Sequence, residues 1–291
     1  MKTMKFFVMA SALAAMVGFS SCLNGEDYTN TASGATFVKV SGYLEINSLK
    51  DELGFEYVPS NKENITNLTS GKYAYIVYTY DPTTVDYAQK AVNINLAGYS
   101  ILTDEQVVAN APVAENANAP VYSVYDMSTS SQYRVQPVFY QKRDVFIPIY
   151  YYYNRTSSYY KPANSSEDLQ KERVLHHFTL YYDATTDFTS STMTLHLRHT
   201  IQDFDAEENE KRTSYDYEFR HFNLNSALSQ YQAANGGQNP DKIVIEFEQN
   251  RYNADYGKDD IESKSYEIDY KTVVENYDKL AGSTTGSGSN E

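Results

Sequence analysis

Three segments of this chain alternate residue by residue, and that alternation most limits what it can fold into. Met193, Leu195 and Leu197 interleave with Thr194, His196 and Arg198. Tyr215, Tyr217 and Phe219 interleave with Asp216, Glu218 and Arg220, and Ile243, Ile245 and Phe247 with Val244, Glu246 and Glu248. Successive strand side chains point to opposite faces, so a period of two marks a strand with one covered and one wet face. Such strands belong to antiparallel sheets, because parallel sheets are covered on both faces. The apolar or aromatic set of each segment is read as the inward one. Further β-rich runs at Val121–Tyr125, Tyr133–Tyr140, Val145–Tyr153, Phe178–Tyr182 and Ser265–Tyr270 complete an antiparallel β-sandwich over residues 120–278. Two short helices interrupt it. One runs through Glu167–Val174 behind Ser165-Ser166, and one through Ser226–Ala234, ending at Gly236-Gly237.

The first part of the chain is also β-patterned. Phe37–Val40, Tyr43–Ile46 and Tyr73–Tyr80 read as strands, and Val92, Ile94 and Leu96 alternate with Asn93 and Asn95. Short strands joined by Gly-containing turns fit an OB-type barrel over residues 36–103. Between the two β regions, residues 104–119 lose any period and hold Pro112, which reads as an interdomain linker. The small polar residues 22–35 read as a tether. The Gly/Ser/Thr-rich end, residues 279–291, reads as a disordered tail.

Cys22 is the single cysteine, so no disulfide or thiolate metal site supports the fold. Lys2 and Lys5, an apolar run from Phe6 to Phe19 and the small pair Ser20-Ser21 precede it. A basic start, a short apolar stretch and a small-residue site make residues 1–21 a secretory signal, too short to serve as a membrane span. A cysteine at that point resembles a lipobox. It makes Cys22 the expected lipidation site, carrying fatty acyl groups such as palmitate and anchoring the chain in the membrane. Beyond the signal, 22 basic residues face 38 acidic ones, a formal charge of −16. That charge repels phosphate backbones and argues against nucleic acid as a partner. Glu26 and Asp27, soon after Cys22, resemble a signal for export to the outer face of the outer membrane.

The search for reaction chemistry returns little. No Gly-x-Ser-x-Gly elbow, His-Glu-x-x-His pair, phosphate-cradling loop or dinucleotide fingerprint occurs. His196 and His199 are three apart, which on a strand sends them to opposite faces. His199 and His221 read as core histidines. His176-His177 reads as positive charge at a helix C-terminus. The acidic loop Asp203–Glu210 has Glu208 where a calcium loop needs glycine, and it reads as a solvated turn. No catalytic residue, metal ligand or cofactor is therefore expected. The densest unusual feature is Tyr150–Tyr153 followed by Asn154, Arg155 and Tyr159-Tyr160, in a chain with 29 tyrosines and no tryptophan. Alternation turns two of the four strand tyrosines outward. Tyr151, Tyr153, Asn154, Arg155, Tyr159 and Tyr160 are the candidate contact surface.

The order of parts resembles the NigD-like lipoproteins. The residues that carry the likeness are the lipobox at Cys22, Val92–Leu96 running into Ile101-Leu102-Thr103, and Leu195–His199 with the acidic loop after it. The paired segments Phe219–Leu224 and Ile243–Phe247 complete it. The chain departs from that pattern in longer insertions at Asn154–Glu172 and Ala233–Pro240. The resemblance implies an N-terminal OB domain, a C-terminal β-sandwich and an immunity-type or envelope-complex role. The expectation is a non-catalytic, lipid-anchored outer-membrane protein that binds a protein partner. A surface glycan-binding lipoprotein and an uncharacterised hydrolase are the alternatives.

Overall fold

The computed structural model describes residues 31–42, 48–61, 68–112, 119–126, 135–154, 171–202, 204, 206–252, 254 and 260–285. The signal, Cys22, the expected strand at Tyr43–Ile46, Arg155, Tyr159, Tyr160 and the first half of the expected helix at Glu167–Val174 lie outside them. The class is all-β. By its internal contacts the chain forms two compact units, one of residues up to 102 with 130–141, the other of residues 103–129 with 142–291.

The first unit holds β1 (Ala32–Ser41), β2 (Ser48–Lys50), β3 (Glu56–Pro59), β4 (Tyr73–Tyr80) and β5 (Ala91–Ile101). They close into a barrel in the order β1-β2-β3-β5-β4, with β3 and β5 parallel and the other pairs antiparallel. Closure removes exposed strand edges and directs one set of alternating side chains inward. Val38, Val40, Leu49, Ala74, Ile76, Val92, Ile94 and Leu96 form that core. In β5, Gly98 pairs with Val77 but Leu96 pairs with Tyr78, so Ala97 is an extra residue in a bulge that bends the strand. The tether expected over residues 22–35 is corrected at its end: Ala32 to Ala35 already pair with β4.

Gly34 lies opposite Tyr78, whose ring folds over it. A Cβ at position 34 would meet the ring Cζ and hydroxyl at 2.7 Å. That ring also packs on Tyr57 at 5.1 Å between centroids, so it has little room to retreat. Gly34→Ala should therefore destabilise the barrel by about 1–3 kcal/mol, the usual cost of overfilling a packed site. Chemical denaturation checks this, and an unchanged midpoint would contradict it.

The second unit is built on a curled sheet. Its strands include β6 (Thr103–Ala109), while β7 (Val138–Tyr140) belongs to the first unit; β8 (Asp144–Tyr153), β9 (His176–Tyr182) and β10 (Thr192–Ile201) follow in the second. After the short helix α1 (Ala206–Glu210) come β11 (Ser214–Asn223), α2 (Asn225–Ala234), β12 (Lys242–Gln249), β13 (Glu262–Asp269) and α3 (Tyr270–Thr285). Within this unit the order is β13-β12-β10-β9-β6-β11-β8. Met193, Leu195, Leu197, Ile243, Ile245 and Phe247 are buried, as their alternation predicts.

Three expectations are corrected here. The sheet is mixed: β10–β12, β6–β9 and β6–β11 run parallel. Parallel neighbours need long connections, and α2 carries the chain across between β11 and β12. The expected linker at 104–119 begins as β6. Thr103 to Glu105 pair with β11 and Gln106 to Ala109 with β9, so the strand passes from one half of the sheet to the other. The expected tail at 279–291 begins inside α3. Asp269 caps that helix, its carboxylate accepting from the Thr272 backbone N–H at 3.0 Å and the Thr272 hydroxyl at 2.8 Å.

The inner faces of the two halves pack on each other. The Tyr151 ring of β8 lies 5.4 Å from Phe178 of β9 and 5.9 Å from His199 of β10. A short segment ties the halves through backbone hydrogen bonds. Val121 donates to the Glu248 carbonyl and accepts from the Asn250 N–H, while Tyr122 donates to Tyr150 and Ser123 accepts from it.

Candidate functional site

Register decides which side of β8 and β11 meets water. Tyr215 pairs with Tyr152, Tyr217 with Tyr150 and Phe219 with Pro148, so these residues share one face. Asp216, Glu218 and Arg220 share the other face with Tyr151, Ile149 and Ile147. Glu218 and Arg220 of that set lie inward, while Asp216 nearer the strand's start is exposed. Arg220 is 3% exposed, whereas Tyr215 is 52% exposed. The inward placing of Tyr215, Tyr217 and Phe219 is thus corrected, and so is the outward placing of Tyr151, which is 2% exposed. Tyr153 is half-buried and Asn154 is buried. Arg155, Tyr159 and Tyr160 lie outside the described residues.

An outer aromatic stripe takes their place. Tyr122 stacks on Tyr215 with centroids 4.0 Å apart and planes 7° apart, and Tyr152 meets both rings edge-on. Further along, Tyr150 lies 4.9 Å from Tyr217, which meets Phe219 edge-on at 5.7 Å. Burial, then the neighbouring Tyr215, raises the Tyr122 hydroxyl above its ordinary range, while the positive charge of Arg251 pulls it back. Tyr122, Tyr150, Tyr217 and Phe219 are half-buried, so the stripe offers ring faces that its own packing holds in place.

Behind it lie two buried charge clusters. In the first, the Arg220 Nη1 donates to Glu105 Oε1 at 2.9 Å and its Nη2 to Glu218 Oε2 at 2.6 Å. Glu218 also accepts from the Tyr151 hydroxyl at 2.9 Å and pairs with Arg173. The Arg220 guanidinium lies 5.1 Å from the Phe178 ring centroid. Burial pushes the Glu105 carboxyl up to about 7 against the pull of Arg220.

In the second cluster Glu172 is the hub. Its Oε1 accepts from Arg212 Nε at 2.7 Å and from the Asn154 backbone N–H at 3.2 Å, and lies 3.3 Å from His176 Nε2. His176 Nδ1 meets His199 Nε2 at 2.9 Å, and His199 Nδ1 donates to the Pro120 carbonyl at 3.2 Å. Carboxylate–ring, ring–ring and ring–carbonyl contacts need three protons, and two neutral imidazoles supply two. Burial lowers both histidines, His199 well below its ordinary value. Burial alone would raise Glu172, but the hydrogen bonds from His176 and Arg212 outweigh it and hold the carboxyl at about 2.

Two further histidines meet carboxylates. His221 lies between Asp104 at 2.7 Å and Asp144 at 2.8 Å, and His196 between Asp187 at 3.1 Å and Glu246 at 3.2 Å. His196 and His199 do point to opposite faces. His176, expected as positive charge at a helix C-terminus, is instead buried at the start of β9 between His199 and Glu172. Among the described residues no group of three or more His, Cys, Asp or Glu has a geometry that could hold a metal ion. Glu172 and Arg212 were not legible as partners, since 40 residues separate them and only the fold joins them.

No protein-family model matches the chain, and no curated protein matches it. Among solved structures, a candidate lipoprotein from Bacteroides fragilis NCTC 9343 superposes with a TM-score of 0.67 and 24% identity, over 82% of this chain and 98% of its own. That likeness establishes a shared fold. Two looser likenesses carry no argument. One is a protein of unknown function from Bacteroides vulgatus ATCC 8482, at TM-score 0.48 and 13% identity over 82% and 91% of the two chains. The other is a NigD-like immunity protein from Bacteroides caccae ATCC 43185, at 0.46 and 14% over 84% and 99%.

Proposed function

We propose that this chain is a lipid-anchored protein of the outer membrane that binds a polypeptide partner through its aromatic stripe and performs no catalysis. One observation carries the reading. Tyr215 is half exposed yet held flat against Tyr122, within a row of half-buried rings. Pre-ordered tyrosines offer large contact area with little side-chain entropy left to lose on docking, which is why they concentrate at binding faces. The signal ahead of Cys22 and the lipobox-like setting of that residue support the anchor. A diacylglycerol with an amide-linked chain supplies the two or more acyl chains that stable anchoring takes. The lipoprotein description of the Bacteroides fragilis relative in fold agrees with this address.

A photo-crosslinking amino acid at position 215, in the full chain within producing cells, tests the reading. The expected result is a light-dependent, protease-sensitive adduct that the same group at position 87 does not form. Tyr87 is a suitable control because it is 80% exposed and belongs to the barrel unit. Absence of an adduct at 215, or equal adducts at both positions, would refute the reading. A protease-resistant, saccharide-sized adduct would move the partner to the glycan class.

A further inference from the structure

The two ends of the stripe differ in charge. At the Tyr122 end Arg251 acts on the tyrosine hydroxyl. At the other end burial, then the negative charge of Asp126, raises the Tyr150 hydroxyl, and burial, then Asp216 and Asp126, raises that of Tyr217. Those two rings lie 4.9 Å apart at 31°, half-buried, with Phe219 edge-on to Tyr217. The face of an aromatic ring is negative, and a carboxylate beside it adds to the attraction for an ammonium or guanidinium. The molecule uses this contact internally. Arg198 lies 5.5 Å over the Tyr181 ring and Lys142 5.5 Å over Tyr277. The whole chain carries a formal charge of −14, which draws a cationic partner in before contact.

We infer that the Tyr150–Tyr217–Phe219 end of the stripe, with Asp126, docks a basic polypeptide segment whose Lys or Arg side chains lie on the tyrosine rings. This rests on the binding-face reading and adds the chemistry of the partner. Tyr217 and Phe219 are alternate residues of one strand, roughly 7 Å apart, which matches alternate side chains of an extended segment. Arg251 marks the end of the stripe where the partner's cations do not sit.

The test uses the purified full chain and three labelled probes: a peptide of Lys-Gly-Ser repeats, a Glu-Gly-Ser peptide of equal length and a neutral cello-oligosaccharide. The lysine peptide should bind and the other two should not. Its affinity should fall at least about tenfold between about 50 and 500 mM salt, as screening shortens the reach of the charges. Asp126→Asn should weaken it severalfold. Tyr217→Leu, which keeps net charge and apolar cover but removes the ring face, should weaken it about fivefold or more. Equal binding by wild type and Tyr217→Leu would reduce the effect to attraction by an acidic surface and overturn the inference. So would binding of the glutamate peptide or the saccharide in place of the lysine peptide, or binding of no probe. Crosslinking at position 215 does not depend on partner charge, so a failure here is distinguishable from a failure of the binding-face reading.

Discussion

Replacing Glu172 by Ala is expected to destabilise the second unit by about 3–5 kcal/mol, because it leaves buried Arg212 without its counter-charge. The carboxylate also holds the Asn154 N–H at the end of β8 and faces His176 at the start of β9, so several elements lose an anchor together. For a unit of this size the loss corresponds to a fall in Tm on the order of 10 °C. Glu172→Gln keeps an acceptor but not the charge and should fall between the two. The cluster also sets a pH dependence. His199 has a folded pKa well below its ordinary 6.5, so its contribution is complete above pH 6.5 and is lost as pH falls and the unfolded chain takes up the proton. Glu172, held at about 2, contributes above pH 4.5 and loses that contribution as pH falls toward 2. Denaturant unfolding from pH 7 to 3 should show wild type converging on Glu172→Ala at the acid end. A constant gap between them would contradict the account.

Arg220→Leu should cost a similar amount, about 3–5 kcal/mol, by taking from Glu105 and Glu218 the donor they share on a closed inner face. Coupling to Glu105 is the diagnostic. Arg220→Leu with Glu105→Leu removes the buried pair, and the double variant should recover much of the loss, since a well-packed apolar pair often equals a buried ion pair. Glu105 also has the opposite pH sign to Glu172. With its carboxyl raised to about 7, its contribution is complete below pH 4.5 and is lost as pH rises through 7. Glu105→Gln should therefore steepen the loss of stability from pH 7 to 4.5. Strictly additive single variants would show that the pair does not act as one unit.

These clusters explain where reading the sequence succeeded and where it failed. β10 and β12 were legible because each presents an apolar set to the core and a polar set to water. β11 has the same alternation but faces the other way, because Arg220, Glu105, Glu218 and Arg173 neutralise one another inside the fold. A residue-by-residue polarity argument places charge outside, and only the partners from β6 and the turn before β9 reverse it. The same inversion moved the exposed tyrosine from Tyr151 to Tyr215. β6 showed no period because its two halves pair with different strands. The last helix left a usable sign in Asp269 and Thr272, the pattern of an N-cap. The barrel was legible from Val92–Leu96 and Tyr73–Tyr80, where alternation and burial agree.

Tyrosine footprinting tests the central claim, that the tyrosine side of β11 is the surface used for binding. A brief radical label should modify Tyr215 and Tyr87 in the purified chain and leave Tyr151 untouched. In intact envelopes Tyr87 should still react, while Tyr215 becomes protected by its partner. Tyr151 reacting ahead of Tyr215 in the purified chain, or Tyr215 reacting equally in both settings, would contradict the account.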